Sequence, residues 1–372
     1  MNGQWLGRYS GTNSGTLFIN LDDMGSHYAG NVFAYDDNTE LPHIYADIRT
    51  QNKESSCHLC LDIVPLHPHT GDPANWNQIS PLFAPSVTCP RRAEADFELA
   101  NGVLKVRWKT DIETLGSGDI AATHAGEPSE YKPLAEVNSW ANFKSYVIDL
   151  EHRRFIFRGQ RDPMRLRTGF HRTRRANLLR FLNQDIPTLY RHLSQRTTHI
   201  FNLNLAEQNG AFFNLVQHHG YPTPLLDWTY SPYVAAFFAY RNVRNSEAPK
   251  ATADDRVRIF MFDQMQWRAS YNQISKVTSC PPHFSIQEFI AIDNERLIPQ
   301  QSISSITNID DIETYIRSRE TTERRYLQMI DLPLGERPHV MRELSVMGIT
   351  AGSLFPGLDG ACEELKERNF QL

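Results

Sequence analysis

The runs DFELA (96–100) and VLKVRWK (103–109) each alternate apolar with polar side chains, and Asn101-Gly102 joins them. Alternation of period two places one row of side chains on each face of a strand. Asn-Gly supplies the positive φ that a type I′ turn needs at both central positions, so the stretch predicts a β-hairpin. Upstream runs carry the same signature: LFIN at 17–20, HYAGNVFAY at 27–35, HIYADI at 43–48 and CHLCLDIV at 57–64. Strands spaced roughly 8–12 residues apart with turn residues between them argue for an all-β sandwich or small barrel. We assign it to residues 1–113.

A chain of 372 residues has room for a second unit, since one domain takes about 150 residues. Charge divides the same way. Residues 1–130 hold 8 basic and 17 acidic side chains, and the rest hold 30 and 26. Such asymmetry points to two domains with different surfaces. Residues 114–136, rich in Gly, Ser, Pro and Ala, read as a linker. From 137 to 372 helical and strand patterns mix, giving an α+β second domain. Ser139 is placed to cap the amphipathic WANFKSYVIDL, and Ser231-Pro232 to open a helix through VAAFFAY. Gly220 stands where a helix through AFFNLVQHH would end. RRFIFRG and RVRIFMFD read as strands.

With 40% apolar residues the chain has material for real cores, which excludes a disordered or low-complexity protein. No apolar run reaches membrane-spanning length, and the N-terminus lacks the basic and apolar regions of a signal peptide. Five scattered cysteines (57, 60, 89, 280, 362) argue against a disulfide framework and for a reducing cytoplasm. Cys57 and Cys60, with His67 and His69 downstream, have metal-ligand spacing. The alternation CHLCLDIV accounts for them as a strand, so no metal is expected.

Three stretches of the second domain hold more polar chemistry than their surroundings require. In FIFRGQ, Arg158, Gly159 and Gln160 end a strand, where a guanidinium can reach an anion past an open backbone. In HHGYPTPLLDWTYSPYVAAFFA, His218, His219, Thr223, Asp227, Trp228, Thr229 and Ser231 crowd the approach to a helix N-terminus. That position caps the helix and also favours a phosphate. In NERLIPQQSISSI, Gln300 and Gln301 interrupt an expected strand; an amide there orients a hydroxyl or a ribose but cannot act as a base. Residues 151–180 add ten arginines against two acidic residues. That density reads as a solvated or anion-facing surface, with nucleic acid as the alternative.

FIFRGQ followed by QHHGYPTPLLDWTYSPYVAAFFA, with NERLIPQQS and GITAGSLFPGLDGACEEL later, resembles the FRG domain family over about 137–362. The layout is similar to the ADP-ribosyltransferase superfamily: arginine on an early strand, a hydroxyl-bearing turn before an Ala/Phe-rich helix, and a polar residue on a later strand. The resemblance implies an ADP-ribosyltransferase-like fold and NAD as substrate. Arg158, Thr229, Ser231 and Gln300 would be catalytic. Gly159, Gln160, His218, Thr223, Asp227, Trp228 and Gln301 would bind substrate. It further implies a cytosolic toxin or antiphage effector that modifies a macromolecule, protein or nucleic acid, or that hydrolyses NAD. The acidic N-terminal domain would then bind a trigger protein, with no membrane involved. Active transferases of the Arg-Ser-Glu type carry Glu at the third position, where this chain has Gln300, and the nearby Glu295 stands on the wrong side of the strand turn to replace it. The family usually has Arg where Pro224 stands and Gly where Ser302 stands. These differences keep open the alternative, a nucleotide- or nucleic-acid-binding module without turnover.

Overall fold

A computed structural model describes residues 1–275 and 281–370; Cys280 lies outside them. The expected hairpin forms as β7 (Arg92–Ala100) and β8 (Val103–Thr110), with φ of 53° at Asn101 and 75° at Gly102. It belongs to a nine-stranded antiparallel sheet with β1 (Gly3–Gly11), β2 (Gly15–Asp23), β3 (Tyr28–Asp36), β4 (Ile44–Arg49), β5 (Ser56–Asp62), β6 (Val64–Pro65) and β9 (Leu115–Ala121). The order β5-β7-β8-β9-β1-β2-β3-β4-β6 curls the sheet into a nearly closed barrel, and β4 and β5 approach each other at the seam. Leu17, Ile19, Phe97, Leu104 and Ile120 fill its interior.

Two barrel strands differ from the sequence expectation. β9 falls in the stretch read as linker, because LGSGDIA carries few large side chains. The reason is steric: a Cβ on Gly116 would lie 2.1 Å from the Trp108 ring of the adjoining strand. β1 shows no strand alternation in its sequence, which Gly3, Gly7 and Gly11 interrupt. Cys57 and Cys60 are three residues apart on β5 and so face opposite sides, and no group of metal-ligating side chains gathers among the described residues. Nor is any described helix long and apolar enough to cross a membrane.

Beyond residue 121 the chain builds a mixed α/β part around a six-stranded antiparallel sheet. Its strands are β10 (Phe155–Gln160), β11 (Leu225–Thr229), β12 (Arg256–Asp263), β13 (Phe284–Gln287), β14 (Ser302–Thr307) and β15 (Leu327–Pro333), in the order β13-β14-β11-β10-β12-β15. Alternation assigns the two faces of β12. Val257, Ile259 and Met261 pack with the helices Trp140–Ile148, Pro232–Tyr240 and Arg337–Val346. Phe260 and Phe262 join a cluster that includes Phe18, Phe33, Tyr35 and Leu66 of the barrel. The barrel is therefore the second cover of this sheet.

Both helix caps read from the sequence form: Ser139 accepts from the Asn142 amide and Ser231 from the Val234 amide. LLDWT, expected only to precede a helix, is the strand β11 itself. Gln300 and Gln301 do not interrupt a strand; they lie in the turn before β14, where Gln301 adopts φ 46°.

Candidate functional site

The site begins with a split in the second sheet. β10 and β11 share one registered pair, Phe157 with Thr229, whereas β10 pairs with β12 along its whole length. Past that pair the two strands part, and the Asp227 carbonyl accepts 2.7 Å from Nη1 of Arg158 instead of from a neighbouring strand. The guanidinium thus takes over a ladder position, since a sheet carbonyl left without a donor is costly. Gly159 sits beside it for a different reason. A Cβ there would lie 1.8 Å from the Ala235 carbonyl oxygen, so only glycine lets helix Pro232–Tyr240 rest directly on β10.

The split opens into a cleft of about 660 Å³. Seven arginines line it, against the carboxylates of Asp162 and Asp227. Four of the seven are neutralised: Arg161 by Glu247, Arg165 by Glu130 and Asp311, Arg167 by Asp310, and Arg241 by Glu363. Arg158, Arg172 and Arg296 form no ion pair among the described residues. Gln160 Oε1 accepts at 3.4 Å from both Arg158 and Arg172, which brings those two cations to one acceptor. Arg296 donates 2.9 Å to the His218 carbonyl and lies against the Phe355 ring. Burial, reinforced by the charge of Arg172, pushes the Arg158 pKa down to about 10, with Asp227 opposing. Burial also lowers that of Arg172, helped by Arg167. Cations held together in a partly desolvated cleft are at their most stable with an anion between them.

Residues 153–248 match the family model described as FRG domain. The chain carries an FRG domain. No curated protein and no solved structure matches the chain. The matched stretch of the FRG domain runs from β10 through helix Pro232–Tyr240, so it supplies Arg158, Arg172, Gln217, His218 and Asp227 to the cleft. Arg296, Gln300 and Phe355 reach it from outside that stretch.

The residues expected to be catalytic are held in different ways. Arg158 is on the cleft floor. Thr229 lines the cleft, yet its hydroxyl donates 2.7 Å to the Gln300 carbonyl and accepts from the Ser231 amide. Ser231 is a helix cap and does not line the cleft. Gln300 reaches the cleft, but its amide nitrogen donates 3.0 Å to the Leu354 carbonyl and ties down the C-terminal element.

Of the residues expected to bind substrate, Gly159, Gln160, His218, Asp227 and Trp228 all border the cleft. Trp228 is otherwise a core residue, its indole N–H donating 3.0 Å to Ser305. Gln301 is exposed and outside the cleft, and Thr223 is fully buried, its hydroxyl donating to the Gln217 side chain. Gln217 in turn donates 2.5 Å to the Asp227 carboxylate and so orients it. Of the two adjacent histidines, His218 lines the cleft and bonds Asn294, while His219 is exposed.

Arg172, Gln217 and Arg296 belong to the site and were not singled out from the sequence. Arg172 stood within the arginine-rich stretch and Arg296 within NERLIP, so each signal was present. What set them apart from other arginines, the lack of a carboxylate, depends on residues distant in the chain.

Proposed function

We propose that the cleft binds a phosphate-bearing nucleotide, with NAD as the first candidate. The observation that carries this reading is the set of three arginines, Arg158, Arg172 and Arg296, that line the cleft and form no ion pair among the described residues. Phosphate oxygens would accept the free N–H groups of Arg158 and Arg172, and Gln160 would keep the two guanidiniums in register. Phe238 and Phe355, packed edge-on at 5.9 Å, offer an apolar wall for a ring beyond the phosphates.

Turnover is the second reading, and the resemblance to ADP-ribosyltransferases favours it. In that reaction the bond between ribose C1′ and the nicotinamide nitrogen breaks, and its electron pair leaves with nicotinamide. An acceptor then bonds to C1′ and releases a proton. Asp227, oriented by Gln217, is the carboxylate available to stabilise the cationic sugar. The engaged hydroxyls of Thr229 and Ser231 and the tethered amide of Gln300 favour binding without transfer.

One experiment separates the readings. The purified chain is incubated with adenine-labelled NAD, with and without cell lysate, while bound label, free nicotinamide and label on protein or RNA are followed. Retained label that Arg158→Ala abolishes supports binding; nicotinamide release supports hydrolysis, and label on a macromolecule supports transfer. No retained label and no nicotinamide would overturn NAD as the ligand. Long nucleic acid is told apart by salt, since several phosphate contacts lose orders of magnitude in affinity between about 50 and 200 mM salt.

A further inference from the structure

The arginine-bearing wall of the cleft is fastened to the barrel. After β10 the chain lines the cleft with Arg167 and Arg172, turns at Arg174 (φ 64°) and then meets β2. There the buried carboxylate of Asp22 accepts from the backbone amides of Ala176 at 2.7 Å and Asn177 at 3.1 Å, and pairs with Arg175 at 3.2 Å. Arg180 approaches the same oxygen at 3.6 Å. One carboxylate thus gathers two amides and two guanidiniums from a single turn of the wall.

A row of amides on the barrel holds the wall from both ends. Gln4, Asn20 and Asn31 sit opposite one another on β1, β2 and β3 and are each at most 5% exposed. Gln4 donates 3.0 Å to Asn20, Asn20 donates 3.1 Å to Asn31, and Asn31 donates 3.0 Å to Asn177. At the other end the Gln4 side-chain oxygen, Oε1, accepts 2.7 Å from the backbone amide of Asp310, whose carboxylate grips Arg167. Buried polar groups of this kind are costly to separate, because each leaves its partner unsatisfied.

We infer that the barrel is a clamp on the cleft: its docking face, centred on Asp22 and the Gln4-Asn20-Asn31 row, fixes residues 175–180 and, through Asp310, Arg167. This adds to the hold that Asp311, Glu313 and Thr223 have on Arg165, Leu166 and Phe170, so undocking the barrel loosens the wall that carries Arg167 and Arg172. A partner that competes for this face disarms the cleft, whereas one that binds the outer surface of the barrel leaves it armed.

Hydrogen exchange on the full chain tests the clamp. Asp22→Ala is expected to raise exchange of the amides of 165–173 by roughly tenfold or more while 155–160 and 225–229 keep their protection. Asp22→Asn, which retains an acceptor for Ala176 and Asn177, gives a smaller rise. A rise confined to 174–180, or no rise, would overturn the proposal; so would a uniform rise across the second sheet. If Asp22→Ala does not fold, Asn31→Ala, which breaks the row without touching an ion pair, has to give the same pattern. A second arm rests on the nucleotide reading: pyrophosphate, titrated calorimetrically, should bind Asp22→Ala about tenfold or more weakly than the wild type. Failure of the wild type to bind pyrophosphate would count against the phosphate reading of the cleft, while the exchange pattern still decides the clamp.

Discussion

Arg158 has two tasks, and they conflict in any replacement. It satisfies the carbonyl exposed where β10 and β11 part, and it presents its remaining N–H groups to the cleft. Lysine keeps the charge but cannot hold the carbonyl and a phosphate in one plane. We therefore expect Arg158→Lys to weaken nucleotide binding by about tenfold and Arg158→Ala by about a hundredfold, read by calorimetric titration. Because the cation persists up to about pH 10, binding through it should be flat between pH 6 and 8. Gly159 makes the opposite kind of prediction. Gly159→Ala pushes a methyl into the Ala235 carbonyl, and urea melts should show a loss of roughly 3 kcal/mol or more. A near-neutral result would mean that helix Pro232–Tyr240 can shift away from β10. At this scale the motif was legible because Arg next to Gly at a strand end is chemically unusual. The roles of Thr229, Ser231 and Gln300 were not. A hydroxyl or amide looks the same in sequence whether it faces a ligand or caps its own chain.

Elements were legible where their side chains are large and regularly spaced, and illegible where a neighbour demands small ones. The hairpin of β7 and β8 and the caps at Ser139 and Ser231 follow from local chemistry. β9 does not, since its glycines answer to residues of other strands: Gly116 makes room for Trp108, and Gly118 for the Arg8 carbonyl. The same long-range origin hid β11, whose five residues are a strand only because β14 pairs with all of them. β9 gives a direct test. Gly116→Ala places a methyl 2.1 Å from the indole and should cost about 2–3 kcal/mol in denaturant unfolding. Combined with Trp108→Leu, the added cost of the alanine should fall below about 1 kcal/mol, a coupling that a double-mutant cycle measures directly. Additive costs would show that β9 is held by something other than the fit of Gly116 to Trp108.

The two sheets share one core cluster, and that sets how the whole molecule comes apart. Phe18, Phe33 and Tyr35 of the barrel bury against the same group as Ile156, Trp228 and Phe260, so neither part can open without exposing the other. A single calorimetric transition is expected, with van't Hoff and calorimetric enthalpies in agreement. Two buried histidines make that transition sensitive to acid. Burial pushes His171 down to about 4, against the pull of Asp310, and pushes His283 down to about 3. Half-buried His43 is lowered for the same reason. A histidine whose pKa falls on folding is neutral in the native state and takes up a proton on unfolding. Its stabilising contribution is therefore complete above its unfolded value of about 6.5 and is lost as pH drops toward 4. His171 and His283 together make the unfolding free energy fall by up to about 2.7 kcal/mol per pH unit across that window, and half-buried His43 adds in the same direction. Carboxylates that arginine holds low, such as Glu130, join below about pH 5, and burial raises the Glu313 carboxyl, which opposes the decline, so the fall between pH 6.5 and 5 is the part that belongs to the histidines. Urea melts at half-unit steps from pH 7.5 to 4.5 should show a plateau and then this decline, and His283→Gln should remove about half of it. A flat profile down to pH 5 would mean that these rings reach water or a proton acceptor in the native state.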